Sequence, residues 1–150
     1  MTPMLAVVTA TVVGLMVGVE LAVALVVNPI LRRLPAGPSL EGRADGARML
    51  GRAMPIWYAA SLALTTTLTV VTWGRAPAGP ATIAAILLVI SVILSIALLV
   101  PINNRSATWT ADDHPSDWRE QHRHWDRLHH VRVAIIVVSF MLVLVAATAV

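Results

Sequence analysis

Four apolar runs set apart by arginine- or proline-bearing breaks constrain this chain more than any other feature. Residues 4–31, 54–73, 81–102 and 129–150 are dominated by Val, Ile, Leu, Ala and small hydroxyl residues. A helix rises about 1.5 Å per residue, so about 20 such residues cross a hydrocarbon core of roughly 30 Å. The expected fold is therefore all-α, a single four-helix integral-membrane bundle over residues 1–150. Composition agrees, since 57% hydrophobic and 13% charged residues do not describe a soluble domain.

Within the first run, Ala6, Ala10, Gly14, Gly18 and Ala22 recur every four residues and form a ridge that lets a neighbouring backbone approach. That ridge could serve packing within the chain or between copies of it. Glu20 lies about 200° around the helix from Gly18, so it faces elsewhere, well inside the span. A carboxyl at that depth costs a few kcal/mol, which makes Glu20 a functional candidate. A cleaved signal peptide is the rival reading of this run, but the arginines follow the apolar stretch instead of preceding it.

Lysine is absent, so all 11 basic residues are arginines. Five lie between the first and second runs, one between the second and third, and five from Arg105 to Arg132. By the positive-inside rule the first and third loops are cytoplasmic and both termini face outward, in what the composition marks as a bacterial cytoplasmic membrane. The same clustering argues against nucleic acid as a partner, because no basic stripe survives outside the membrane flanks. With no cysteine, disulfides and thiolate metal sites are excluded.

Pro35, Gly37 and Pro38 break the first helix, and a basic loop with a short amphipathic turn leads to a second helix at Met54, opened by Pro55. Trp57, Tyr58 and Trp73 read as interfacial aromatics. Tyr58, Ser61, Thr65, Thr69 and Thr72 form a hydroxyl stripe that bonds backbone carbonyls and marks the face turned to the bundle. The third helix stops near Pro101 and is followed by Asn103 and Asn104. From Asp117 no proline or glycine interrupts the chain, so the fourth helix spans roughly 50 Å and its first third extends into the cytoplasm.

That fourth helix carries four of the five histidines. Trp118, His122, Trp125, His129 and Arg132 fall three or four residues apart and share one face. Under the expected topology Asn28, Pro101 to Asn104 and His129 to Arg132 meet at the cytoplasmic boundary, with Glu20 about 12 Å deeper. Amides, an imidazole, a guanidinium and an indole closing one end of an apolar bundle describe a pocket for a flat, mostly apolar molecule with some oxygens. A collar of snorkelling side chains is the structural alternative.

These motifs carry a resemblance. Gly18-Val19-Glu20, Asn28-Pro29, Val100-Pro101-Ile102-Asn103-Asn104 and Trp125-Asp126-Arg127-Leu128-His129-His130-Val131-Arg132 resemble, in this order, the anthrone oxygenase-like family of small four-helix membrane proteins. The resemblance implies oxygenation of a polycyclic phenolic ketone by dioxygen, without flavin, haem or metal. Such a ketone has an acidic methylene, and a base that removes one proton leaves an anion able to react with dioxygen. His129 is the first choice as base, with Glu20 second. Arg132, helped by Asn103, would hold the developing oxyanion, and Trp125 would stack on the rings. Asn28, Asn104 and Tyr58 complete the substrate-binding set. Glu20 and Arg132 could instead compensate each other as a buried pair.

Four other readings compete. His122, Asp126 and His130 offer i, i+4 pairs that could clip a metal ion, although no three-histidine cluster forms. Haem would need inward-facing histidines at mid-membrane depth. A lone glutamate in the first of four helices also resembles the small multidrug exporters, where a carboxylate exchanges protons for cationic drugs, and a non-enzymatic scaffold is the third class. His114 and His124 read as solvated.

Overall fold

The computed structural model describes residues 2–150 and is all-α. Four helices carry it: α1 (Thr2–Arg33), α2 (Ala36–Val71), α3 (Ala78–Ser106) and α4 (Trp118–Thr148), each long and apolar enough to cross a membrane. Each helix packs on its neighbours in sequence, and α4 closes the ring against α1. At 29 to 36 residues they run roughly 44–54 Å, longer than a hydrocarbon core, so the bundle stands clear of the lipid at one end or both. Large apolar side chains such as Leu15, Ile56, Ile93 and Met141 face outward, as lipid contact requires.

Prolines expected to end helices are absorbed within them. α2 begins at Ala36, with Pro35 as the preceding cap residue and Pro38 in the first turn, where the missing N–H would have had no partner in any case. The segment read as a basic loop is therefore the first half of a 36-residue helix, with Pro55 inside it. In α1 and α3 the prolines are reached through π-helical turns. Val23–Val27 precedes Asn28-Pro29, and Ser95–Leu99 precedes Val100-Pro101. The N–H of Asn28 bonds to the Val23 carbonyl and that of Val100 to the Ser95 carbonyl, five residues back in each case. Such a widened turn accommodates a ring that would clash with the i−4 carbonyl of a regular helix.

One end of the bundle is tight. Ala6, Leu68, Ala81 and Ala146 pack together there, and further along α1 a Cβ added at Gly14 would lie 2.9 Å from the Phe140 ring. Small residues allow that approach. The ridge drifts around α1, however, because a four-residue repeat advances 40° per step on a helix of 100° per residue. Ala6 is buried while Gly18 and Ala22 are exposed, and Glu20, on the opposite side from Gly18, is buried. The hydroxyl stripe of α2 is occupied as expected too: Thr65, Thr69 and Thr72 donate to the carbonyls of Ser61, Thr65 and Leu68.

Toward the other end the core becomes larger and looser, through Val13, Met16, Met54, Leu88 and Ile136. Beyond it α2 and α4 are clamped by Arg43, which donates from both terminal nitrogens to Asp126 at 3.1 and 3.2 Å. α4 starts after Asp117 as the sequence indicates. Glu120 in its first turn accepts from Arg123 at 2.5 Å, and this hydrogen bond holds its carboxyl below the usual carboxylate range.

Candidate functional site

A cavity of about 450 Å³ lies between the four helices at the arginine-rich end, within the range that ligand sites occupy. Its walls are apolar, with Val23, Leu50, Met54, Leu62, Val92 and Leu99 among them. Both π-helical turns line it, and so do Gly42, Gly46 and Gly51 of α2. A Cβ at Gly46 or Gly51 would meet nothing within 4 Å, so the missing side chains are part of the space.

The deeper polar cluster centres on Glu20, 3% exposed. Arg132 donates to its Oε2 at 2.5 Å, and Tyr58 donates to its Oε1 at 3.2 Å. Arg132 also donates to Ser95 at 3.0 Å and lies 3.0 Å from His129 Nδ1. That Nδ1 is 3.6 Å from Glu20 Oε2, outside hydrogen-bond range. Four helices thus supply one connected group: Glu20 from α1, Tyr58 from α2, Ser95 from α3, and His129 and Arg132 from α4. The buried pair of charges anticipated from sequence is present.

Since guanidinium is only a donor, its approach requires His129 Nδ1 to act as acceptor, which places the proton of the neutral ring on Nε2. His129 is fully buried, its Nε2 has no protein partner, and Trp125 stacks on the imidazole at 4.8 Å and 17°. Trp125 therefore covers His129, and its own Nε1 is also unpartnered.

The depth assignments of the sequence reading need one correction. Arg132 and His129 touch Glu20 directly, so they lie at its level and not about two turns above it. The register of α4 against α1 is shifted accordingly, and His122 reaches the level of Asn28. Asn28 and Asn103 line the cavity as expected, whereas Asn104 is exposed and lies outside it. Tyr58 is no interfacial residue: it is buried against Glu20 and Arg132, with its ring 5.7 Å from the guanidinium carbon. Trp57 likewise turns inward, its indole donating to the Val12 carbonyl at 2.9 Å. Trp73 is exposed.

Three contributors escaped the sequence reading. Ser95 is a ligand of Arg132. Arg43 and His122, taken for parts of a loop and of a cytoplasmic extension, both line the cavity. The periodicity Leu40, Arg43, Ala47, Leu50, Met54 is the signal that would have placed Arg43 on an inward helical face. His122 is 4% exposed, set between the rings of Trp109 and Trp118 at 5.3 and 5.6 Å.

The metal clip does not form. Both oxygens of Asp126 accept from Arg43, Arg32 stands 3.6 Å away, and His130 Nδ1 is 2.6 Å from its own helix's Asp126 carbonyl. Among the described residues no three His, Asp or Glu side chains are grouped to hold a metal ion. His114 and His124 are not part of the cavity lining.

Comparison with known proteins adds one match. A family model described as anthrone oxygenase fits residues 44–142, which takes in Tyr58, Ser95, Asn103, His122, Trp125, His129 and Arg132 but not Glu20, Asn28 or Arg43. No curated protein and no solved structure matches. With about two thirds of its length fitting that model, the chain belongs to the anthrone oxygenase family.

Proposed function

We propose that this protein is a membrane-embedded oxygenase that converts the acidic methylene of a polycyclic phenolic ketone to a carbonyl, with dioxygen as oxidant. The site supports a division of labour in which Glu20 is the base and His129 the electrophile. The observation that carries this is the 3.0 Å approach of Arg132 to His129 Nδ1, which leaves Nε2–H as a buried donor without a protein partner and so available to a ketone oxygen brought against it. A carboxylate base working with a neutral imidazole donor is an established solution for proton abstraction next to a carbonyl. It reverses the order of preference that sequence alone gave these residues. Each oxygen of Glu20 keeps a lone pair beyond its bond to Arg132 or Tyr58, so the carboxylate can still take a proton.

The chemistry balances without a further reductant. Glu20 takes one methylene proton, and the C–H electron pair remains on the ring system, spread onto the ketone oxygen that His129 Nε2–H holds. The carbanion gives its electrons to dioxygen and a C–O bond forms. The proton returns from Glu20 to the terminal peroxide oxygen, and loss of water with the second methylene hydrogen leaves a carbonyl. One methylene and one dioxygen give one carbonyl and one water. Apolar walls favour a flat aromatic substrate, and Trp125 fixes the imidazole.

A proton-coupled exporter would require Glu20 to meet cationic cargo, but Arg132 already occupies that carboxylate. The arginine-rich end, by the positive-inside rule, faces the cytoplasm and both termini face outward.

The test separates proton abstraction from oxygenation. Purified protein in detergent and heavy water, kept anaerobic, should exchange the methylene protons of an anthrone, and admission of air should then consume dioxygen. Glu20→Gln should slow exchange about 10²–10⁴-fold, the usual contribution of a general base. His129→Ala should cost about 10²–10³-fold, as loss of one oxyanion donor does, while His129→Gln, which keeps an N–H, should stay within roughly tenfold of wild type. If Gln and Ala at 129 are equally inactive and Glu20→Gln is not, His129 is the base and the assignment above is wrong.

A further inference from the structure

The cavity has a second polar end that the proton-abstraction chemistry does not use. Asn28, Arg43 and His122 all line it. Asn28 Nδ2, Arg43 Nε and both ring nitrogens of His122 are buried without any hydrogen-bond partner. Buried polar groups are almost always satisfied, and leaving one unpaired costs about 1–3 kcal/mol. Four such atoms around one cavity therefore mark a place where something polar belongs. Arg43 is not free to turn away, because Asp126 grips its two terminal nitrogens. His122 is held in place by Trp109 and Trp118.

The donors outnumber the acceptors, since amide Nδ2 and guanidinium Nε only donate, while imidazole offers one N–H and one lone pair. An oxygen with lone pairs satisfies the donors, and a hydroxyl also satisfies the imidazole acceptor. Local charge does not call for a full anion, as Asp126 already neutralises one of Arg43 and Arg32. His122 stands seven residues, two helical turns, from His129, and Asn28 stands eight from Glu20, so the two polar ends are roughly 10–12 Å apart along the bundle. Between them lie Trp125 and apolar walls. That spacing suits opposite ends of a linearly fused polycycle.

We infer that Asn28, Arg43 and His122 form a distal subsite that binds a phenolic hydroxyl on the ring end remote from the reacting methylene, and that it selects hydroxylated polycycles over unsubstituted ones. The subsite deepens the oxygenase reading and rests on it for the kind of ligand. A site built to hydrogen-bond a hydroxyl discriminates strongly against an analogue that lacks it, because the buried partners are then left unpaired.

Binding, not turnover, tests this. The dissociation constants of 2-hydroxyanthraquinone, 2-methylanthraquinone and anthraquinone for detergent-purified protein are compared by equilibrium dialysis. Methyl and hydroxyl groups are similar in size, so their ratio isolates the hydrogen bonds. Wild type should prefer the hydroxy compound over the methyl one by tenfold or more. That preference should fall to below threefold in His122→Phe, which keeps the packing against Trp109 and Trp118, and in Asn28→Leu. Equal affinity for the two in wild type, or an undiminished preference in both variants, overturns the subsite. Failure of all three ligands to bind overturns the polycycle reading itself, and the subsite's ligand class with it.

Discussion

Removing one partner of the Glu20–Arg132 pair should harm the protein far more than removing both. At 2.5 Å and an effective dielectric near 20, the Coulomb attraction is about 7 kcal/mol. Taking each ion out of water costs several kcal/mol, so the intact pair comes out near zero against an apolar replacement. The single substitution Arg132→Met leaves Glu20 3% exposed with only Tyr58 as donor, and Glu20→Leu leaves the guanidinium with Ser95 and His129. Each should cost about 3–5 kcal/mol, the penalty for a buried charge stripped of its partner. For a chain of this size that is a fall of roughly 6–20 °C in melting temperature. The double variant Glu20→Leu/Arg132→Met should recover to within about 1–2 kcal/mol of wild type while remaining inactive. Thermal aggregation in detergent, followed by size exclusion, measures all four corners of the cycle. If the two single costs simply add in the double variant, the charges do not compensate each other and the site's electrostatics have been misread.

Other perturbations probe the space around the pair. Gly46→Leu should block binding of 2-hydroxyanthraquinone, whereas Gly46→Ala should stabilise α2 by up to about 1 kcal/mol, since a Cβ there meets nothing; melting and dialysis together check both. Gly14→Ala should destabilise by about 1–3 kcal/mol because its Cβ would sit 2.9 Å from the Phe140 ring, and Phe140→Leu in the same chain should relieve it. Gly42→Ala meets only the free end of Leu31 at 2.8 Å, so its melting temperature should change little. Asp126→Asn should loosen Arg43 and reduce the hydroxy-over-methyl preference while leaving anthrone proton exchange in place, measured as above.

How far the sequence spoke for the structure depends on whether a feature is local or paired. Apolar run length alone places four helices, and the angular offset of Glu20 from Gly18 sets the two on opposite sides of α1, of which the structure shows Glu20's to be the inner one. Hydropathy sets His129 and Arg132 too shallow because it treats a guanidinium as a boundary marker. An arginine that meets a carboxylate from another helix can lie two turns further in, and nothing on α4 itself announces the partner on α1. Arg43 falls in an apparent loop for a related reason. Pro35, Gly37 and Pro38 look like a break, yet the first turn of a helix has no use for their missing hydrogen bonds. The inward spacing from Leu40 to Met54 was legible and carried less weight than the prolines.

The prolines also explain why the cavity sits where it does. Pro29 and Pro101 belong to α1 and α3, and each is preceded by a five-residue π-helical turn. A π turn inserts one residue into the helical register, so side chains beyond it are rotated relative to those before it. On α1 the turn separates Glu20 from Asn28, and on α3 it separates Val92 from Asn103. On α1 that rotation matters, since Glu20 and Asn28 would stand about 80° apart on a regular helix and one inserted residue brings them to about 20°; on α3 Val92 and Asn103 both line the cavity as well. A four-helix bundle with uninterrupted helices and alanines throughout would close as tightly as the end built from Ala6, Ala81 and Ala146. Two widened turns, and glycines on the facing stretch of α2, keep the other end open between the proton-abstracting cluster and the distal donors. Straightening one turn should then cost binding before stability: Pro101→Ala is expected to restore a regular bond to the Ala97 carbonyl, raise the melting temperature, and weaken 2-hydroxyanthraquinone binding at least tenfold. Unchanged binding in that variant would mean that the turns merely accommodate the prolines and do not shape the site.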